Sequence, residues 1–580
     1  MSRAVVELPM LRRYRLVLID ESHNLRNREG KRYRVIQEYI KKNESKVILL
    51  SATPYNKTYV DLSNQLRLFV PEDADVGIRP ESMLREIGET EFIRRHQCAV
   101  RTLAAFDKSE CADDWRDLMR LYLVRRTRSF IQDNYAKTDP QSGRKYLTFP
   151  DGRLSYFPTR VPKTVKFKID DQDPDDQYAL LYSSLIVDAI NALTLPRYGL
   201  GNYIAERPQE PPTAAEAKII ADLSRAGKRL MGFCRTNLFK RLESSGQSFL
   251  QSVERHIMRN YIYLHAIDND KPIPIGTQDA GLLDSRYVDS DDDLLFSDED
   301  EENANHGDAG NHLRREDDFR RRAAEIYQIY ATAQKRRFRW LAPQRFMPQL
   351  AGDLNRDAEA LLAVLQRCGD WKPERDAKLL NLKDLINRRH PGRKIIVFSQ
   401  FADTVQYLSS QLISGCIGRL AAVTGDTDDP SKIVWRFSPE SNDKREQISP
   451  GQEIDVLIAT DVLSEGQNLQ DASIVVNYDL PWAIIRLIQR AGRVDRIGQK
   501  AEEIFCYSFL PADGVERIIR LRARVRQRLH ENAEVVGTDE AFFEDDQNDQ
   551  AVRDLFTEKA GIMDGETDTE VDLGSYAYQI

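Results

Sequence analysis

Hydrophobic and polar positions along this chain follow two rhythms. Near the start, Leu16-Val17-Leu18-Ile19 is a short continuous apolar run ending in Asp20-Glu21. Val47-Ile48-Leu49-Leu50 is another, ending in Ser51-Ala52-Thr53-Pro54, and a helix-like stretch from Tyr33 to Lys42 lies between them. Apolar runs of this length with a helix between them predict a βαβ unit in a buried parallel sheet. The middle, roughly 165–385, reads as mostly helical: Asp176 to Leu193, Ala214 to Met231, Leu238 to Ala266 and Asp317 to Lys335. The polar stretch VDSDDDLLFSDEDEENANHGDAGN interrupts it, and its one-signed charge predicts a disordered loop over about 286–312.

From Arg393 the α/β alternation returns. Strands are predicted at 394–398, 420–423, 456–459, 473–477 and 504–510, with helices at 403–412 and 484–491. Val515 to Glu531 follows as a very basic helix, with apolar Val515, Ile518, Ile519, Leu521, Val525 and Leu529 on a face suited to packing. The tail from 536 to 580 is acidic and expected to be mobile.

Composition narrows the field. A chain of 580 residues is too long for one core and implies about three or four domains. With 41% apolar and 30% charged residues, the composition is that of a soluble globular protein. No apolar run approaches the ~18–20 residues of a membrane span, and the start shows no signal core, so a cytoplasmic protein without a membrane partner is expected. The cysteines at 98, 111, 234, 368, 416 and 506 lack CxxC spacing, which argues against a disulfide scaffold or a zinc site. The net charge of −8 conceals a basic body. Residues 289–303 hold nine acidic and no basic side chains, and 539–572 hold thirteen acidic and two basic, leaving 70 acidic against 82 basic elsewhere. A basic body suits a polyanionic partner, though the same charges could merely solvate helix faces.

Three clusters carry candidate chemistry. Asp20-Glu21-Ser22-His23 ends a predicted parallel strand, where ligands sit in open α/β sheets. One carboxylate could hold magnesium and its neighbour could orient water, although a strand followed by an acidic helix cap explains the pair as well. Ser51-Ala52-Thr53 ends the next strand, and its hydroxyls could relay between sites or simply cap a helix. The block ATDVLSEGQNLQDASIVVNYDLPWAIIRLIQRAGRVDRIGQ, from Ala459, is the most specific. Arg493 and Arg496 lie three apart on or near a helix, so two charged forks share a face, as a phosphate gaining charge requires. Gly466 would admit close backbone approach.

Taken together these segments resemble the Swi/Snf-like ATPases of helicase superfamily two, especially the bacterial RapA/HepA-like branch. DESH resembles motif II, SAT motif III, LYLVRRTRSF (121–130) the segment near the end of the first lobe, KIIVFSQF (394–401) motif IV, ATDVLSEGQNLQ motif V and QRAGRVDRIGQ motif VI. FKRLESS (239–245) resembles a helical insertion of a prokaryotic subgroup. The resemblance implies an α/β fold of two RecA-like helicase lobes, the first incomplete and the second complete, joined by a mostly helical insertion. Its bounds would be 1–160, 161–375 and 376–535, before the acidic tail. It further implies ATP and magnesium in the cleft. Asp20 would serve the metal and Glu21 the attacking water. His23, Asp461, Gly466 and Gln489 would contact nucleotide or the lobe interface. Arg493 and Arg496 would reach from the second lobe, and Ser51 and Thr53 would couple the sites. Ser399, Gln400, Thr424 and Gly425 would line the backbone track of double-stranded DNA, with RNA or RNA polymerase as further possible partners.

One family part has no counterpart here. The phosphate-gripping loop G-x-x-x-x-G-K-[ST] does not occur, and Gly30-Lys31, Gly227-Lys228 and Gly392-Arg393 lack its pattern. The expectation is that this chain alone hydrolyses ATP little or not at all. A truncated gene product is the favoured explanation, with a split enzyme whose Walker A half is separately encoded, or a remnant, as alternatives. Without those strands, Leu16–Ile19 would be an exposed edge. Ala483-Ile484 replaces the family's usual Asn-Pro before the motif VI helix. The competing function is a non-enzymatic module that binds nucleic acid or protein, and an RNA helicase of the same superfamily is a third reading.

Overall fold

The computed structural model describes residues 13–25, 27–28, 30–51, 59–124, 128–150, 152–167, 169–170, 172–205, 211–276, 313–414, 419–463, 467–481, 484–496 and 498–510. The acidic loop, the basic helix over 515–531 and the acidic tail lie outside the described residues, as do Thr53 and Gly466.

The first region is built on β1 (Leu16–Ile19) and β2 (Lys46–Leu49), which pair in parallel around helix α1 (Lys31–Asn43). Tyr33, Ile36 and Ile40 recur at helical spacing, and with Leu25 and Leu68 they cover Val17, Ile19, Val47 and Leu49. Helix α1 ends at Glu44, which turns left-handed and donates its amide to carbonyls of the last turn. Short helices between 60 and 134 follow, with a separate core around Trp115, Leu118 and Phe106. A three-stranded antiparallel sheet comes next: β3 (Lys137–Thr138), β4 (Lys145–Thr148) and β5 (Leu154–Tyr156).

The chain then enters β6 (Thr159–Val165), an element the hydrophobic pattern does not single out because it carries Arg160, Pro162 and Lys163 among its apolar residues. The middle region is helical as expected. Helix α2 (Ala214–Ser244) opens on a capping box formed by Thr213 and Glu216. Helix α3 (Gly246–Asp268) begins one residue later, across the extended Ser245. The antiparallel pair of β7 (Ile273–Ile275) with β8 (Arg339–Leu341), helix α4 (Glu316–Ala331) and helix α5 (Gln349–Cys368) complete it. Contrary to the expectation that no apolar run approaches the length of a membrane span, one stretch among the described residues, 177–203, is long and apolar enough to cross a membrane by length and composition alone. It is divided into helices Gln177–Leu181 and Ser184–Ala192 and a 3-10 run Pro196–Tyr203, and its Tyr178, Leu181, Ile186 and Ile190 are buried.

The last region holds helix α6 (Ala377–Asp384), β9 (Ile395–Phe398), helix α7 (Ala402–Ser414), β10 (Leu420–Val423), β11 (Val456–Ala459), β12 (Ile474–Asn477), helix α8 (Ile484–Val494) and β13 (Glu503–Phe509). Its strands form an all-parallel six-stranded sheet in the order β10-β11-β9-β12-β13-β6. Strand β6 therefore extends this sheet from far upstream, paired with β13 along its whole length. The sheet is buried on both faces. Ile395, Val397, Val456, Ile458, Ile474 and Val476 pack against α6 and α7, while Ile396, Phe398, Leu457, Ala459 and Val475 join a core shared with the middle helices. A mixed α/β architecture with such a sheet is that of RecA-like helicase lobes, and the helical content is substantial.

Candidate functional site

The end of β1 is shaped by an unusual backbone. Glu21 takes φ 50°, a left-handed conformation that costs a non-glycine residue about 1–3 kcal/mol. Neighbouring bonds hold it there. The Glu21 amide donates to Asp20 Oδ1 at 2.9 Å, the Ser22 amide to the Leu50 carbonyl at 2.9 Å and the Asn24 amide to the Glu21 carbonyl at 3.0 Å. The turn leaves Asp20 exposed and sends Ser22 and His23 inward, where the Ser22 hydroxyl meets Gln65 Oε1 at 3.1 Å.

His23 is the meeting point. Its Nδ1 lies 3.2 Å from Ser51 Oγ and 3.3 Å from Glu21 Oε2. Its Nε2 lies 3.5 Å from Gln489 Nε2, on α8, 466 positions away in the chain. A proton on Nδ1 serves the carboxylate and leaves Nε2 to accept from the Gln489 amide, so one tautomer satisfies the long cross-lobe contact and the Glu21 contact together. The structure thus brings Glu21, His23, Ser51 and Gln489 together.

Helix α8 carries the guanidinium groups. Gln489 and Arg493 are four residues apart and both buried, on one face. Arg496, just beyond the helix, engages Asn468 Oδ1. Two residues the sequence reading passed over do more to hold the helix. Arg490 is fully buried, donates to Asp461 Oδ1 at 2.6 Å, to Asn477 Oδ1 at 3.1 Å and to the Asp479 carbonyl at 3.3 Å, and lies over the Phe398 ring at 5.3 Å. Arg486 reaches the other oxygen of Asp461 at 2.7 Å. Burial pushes the Asp461 carboxyl up, but Arg490 and Arg486 outweigh it and hold it below the usual carboxylate range. Arg486, Arg490 and Arg493 recur at helical spacing, and that periodicity was the available signal. Beyond the helix, Asp495 pairs with Arg160 on β6, the Gly498 amide donates to Ser155 Oγ at 2.9 Å, and Arg144 meets Glu502 at 3.0 Å.

The residues assigned to a nucleic-acid track are placed unequally. Ser399 is fully buried and its hydroxyl donates to Asp479 Oδ2. The Gln400 amide donates to Asp479 Oδ1 at 2.8 Å and its side chain to the Leu480 carbonyl at 2.6 Å. The Thr424 amide is tied to Thr427 Oγ1 at 3.0 Å, and Gly425 beside it is exposed, with open space where a side chain would project.

Among the described residues no group of three or more metal-ligating side chains is assembled. Magnesium commonly takes one or two carboxylates and completes its shell with water and phosphate oxygens. The exposed Asp20 fits such a part.

Comparison with known proteins finds similarity to helicases. Residues 377–498 match the helicase conserved C-terminal domain. Over 165 residues the chain is 32% identical to an uncharacterized ATP-dependent helicase, YqhH, of Bacillus subtilis, covering 28% of this chain and 26% of the relative. It is 39% identical over 132 residues to the ATP-dependent RNA helicase RhlB of Shewanella frigidimarina, and 36% identical over 132 residues to RhlB of Shewanella baltica. These matches cover 23% of this chain and 28% and 27% of the respective relatives. The chain therefore spans about a quarter of the length of the curated relatives it matches. The matched domain and these relatives make part of this chain similar to superfamily-two helicases.

Proposed function

We propose that this protein is an ATP-dependent translocase on double-stranded nucleic acid, of the Swi/Snf-like kind, resembling the RapA/HepA-like branch. The observation that carries the reading is the contact between His23 and Gln489, which joins the acidic turn after β1 to the arginine-bearing helix of the other lobe. ATP with magnesium supplies the energy-releasing phosphoryl transfer. In this reading Asp20 holds the metal and Glu21 orients the attacking water. Arg493 and Arg496 stabilise charge on the transferring phosphate, while His23 and Gln489 report lobe closure. Ser51, Thr53, Asp461 and Gly466 couple that cleft to the track, where Gly425 and Gln400 approach the nucleic-acid backbone and Ser399 and Thr424 shape it from behind. In this reading the triphosphate also requires a Walker A loop, which the test supplies as a separate polypeptide.

Phosphate release is the test, measured for this chain alone and with a Walker A polypeptide, each with duplex DNA, with RNA and without nucleic acid. Hydrolysis stimulated by duplex DNA is expected only for the combination. Glu21→Gln should lower it by a factor of about 100 or more. Stimulation by RNA in place of DNA would shift the substrate class toward RNA, as in the RNA helicase RhlB relatives. Absence of hydrolysis under every condition, with salt-sensitive DNA binding indifferent to ATP, would replace the motor with a non-enzymatic binding module.

A further inference from the structure

The FKRLESS segment has no part in the nucleotide chemistry above, yet Phe239 to Ser245 are all buried. Three of its side chains, at helical spacing on the last turns of α2, converge on two residues of the second lobe. Lys240 Nζ donates to the Leu480 carbonyl, Glu243 Oε1 accepts from the Leu480 amide at 3.3 Å, and Ser244 Oγ donates to Asp479 Oδ2 at 2.6 Å. Both backbone polar groups of Leu480 and the side chain of Asp479 are thus held by one helix face. The rest of the motif secures that face. Arg241, together with Arg255 of α3, pairs with the buried Asp403 of α7 at 3.0 and 2.7 Å. Lys378 of α6 donates to the carbonyls of Glu243 and Ser244 at 2.6 and 2.9 Å. Thr404 lies 2.8 Å from the Ser244 hydroxyl.

What is held is the short segment that leads into α8. Asp479 accepts from Ser399 and the Gln400 amide through its carboxylate and from Arg490 through its carbonyl, and α8 begins at Ile484. A continuous line of polar contacts runs from the helical insertion, through Asp479 and Leu480 and Arg490, to the helix that presents Gln489 and Arg493. An apolar contact would bury the same surface without fixing orientation. Directed bonds to both backbone polar groups of Leu480 fix position and angle. Removing Glu243 takes away the acceptor of the buried Leu480 amide, while removing Lys240 or Ser244 leaves Gln400 and Ser399 as the remaining donors to the Leu480 carbonyl and the Asp479 carboxylate.

We propose that Lys240, Glu243 and Ser244 are positioning residues that clamp the 479–480 segment and thereby set where α8 presents Gln489 and Arg493 to the nucleotide cleft. The mechanistic part rests on the ATPase reading above. The clamp itself does not, so two measurements separate them. The first is amide hydrogen exchange of the full chain. Glu243→Leu and the milder Ser244→Ala should each raise exchange of residues 479–480 and 484–494 by about tenfold or more, leaving α5 within about twofold of wild type. Glu243→Gln keeps the acceptor for the Leu480 amide and should restore near wild-type protection. Exchange altered only within 240–250, or raised equally in α5, would overturn the proposal. The second is steady-state hydrolysis under the conditions that activate wild type. There Ser244→Ala should lower kcat about tenfold with KM for ATP changed by less than about threefold. If wild type hydrolyses nothing, the ATPase reading fails and the exchange pattern still decides the clamp. If wild type turns over and Ser244→Ala leaves kcat unchanged, or α8 stays protected, the clamp alone fails.

Discussion

Two parallel sheets in this molecule are written in nearly the same letters and end in opposite surroundings. LVLI and KVIL form β1 and β2, while IIVF, VLIA and IVVN form β9, β11 and β12. Every residue of the latter three strands is buried. In the former, alternate residues are covered, and Leu16, Leu18, Ile48 and Leu50 remain 54%, 58%, 44% and 43% exposed. The large sheet lies between α6 and α7 on one side and a core shared with the middle helices on the other. The small one has α1 and Leu68 on a single face. A continuous apolar run states that a strand is suited to burial on both faces. Whether it obtains two covers depends on elements elsewhere.

The sharpest way to break this comparison is to place a charge in each sheet. Val397→Asp buries an unpaired carboxylate between two layers and should cost upwards of ~4 kcal/mol, which urea unfolding followed by tryptophan fluorescence would show as loss of the native baseline. Leu18→Asp, on the exposed face, should change stability by less than ~0.5 kcal/mol, and a large loss there would mean that the face is covered. Next in size is Arg490→Met, which strips Asp461 of its main partner inside the second lobe. About 3–5 kcal/mol of destabilisation is expected from denaturant midpoints, with the first region little changed.

A smaller effect tests the join between the large sheet's layers. A Cβ at Gly246 would lie 2.2 Å from a ring carbon of Trp371, so Gly246→Ala must displace the indole and its 3.0 Å bond to the Tyr407 hydroxyl. A cost of ~1–3 kcal/mol should appear as a lower melting temperature. The smallest effect is one of pH. Burial, which outweighs the nearby carboxylates, brings the Lys378 ammonium down to about 8. Between that pH and the ordinary lysine value, the unfolded chain binds a proton that the folded chain has released, so stability rises with pH in that window. Against Lys378→Met, wild type should gain on the order of 1 kcal/mol per pH unit there, measured as a difference in unfolding free energy.

Much of the fold was legible in the chain. The five strands expected after Arg393 appear with bounds shifted by at most one residue, because four apolar residues between polar ends mark a strand wherever it finally packs. Helices α1 and α4 were equally plain. The long middle helices were found but misdivided, since nothing in the local pattern announces the single extended residue at Ser245. Strand β6 escaped notice because an edge strand buries little and tolerates Pro162 and charged residues. At the site, the types of residue were visible but not their duties. Ser399, expected to line the nucleic-acid track, is fully buried and donates to Asp479, and Arg490 was hidden among more familiar arginines.

The chain by itself therefore determined what is local: periodicity, strand and helix positions, the acidic turn after β1 and the spacing of guanidinium groups on one helix face. Tertiary structure decided everything that needs a partner distant in sequence. It chose which sheet gained two covers, drew β6 beside β13, set His23 against Gln489 and closed the insertion onto Leu480. The reason is physical. Backbone dihedrals and side-chain period act over a few residues, whereas burial and the pairing of polar groups are satisfied by whichever surfaces the folded chain brings into contact.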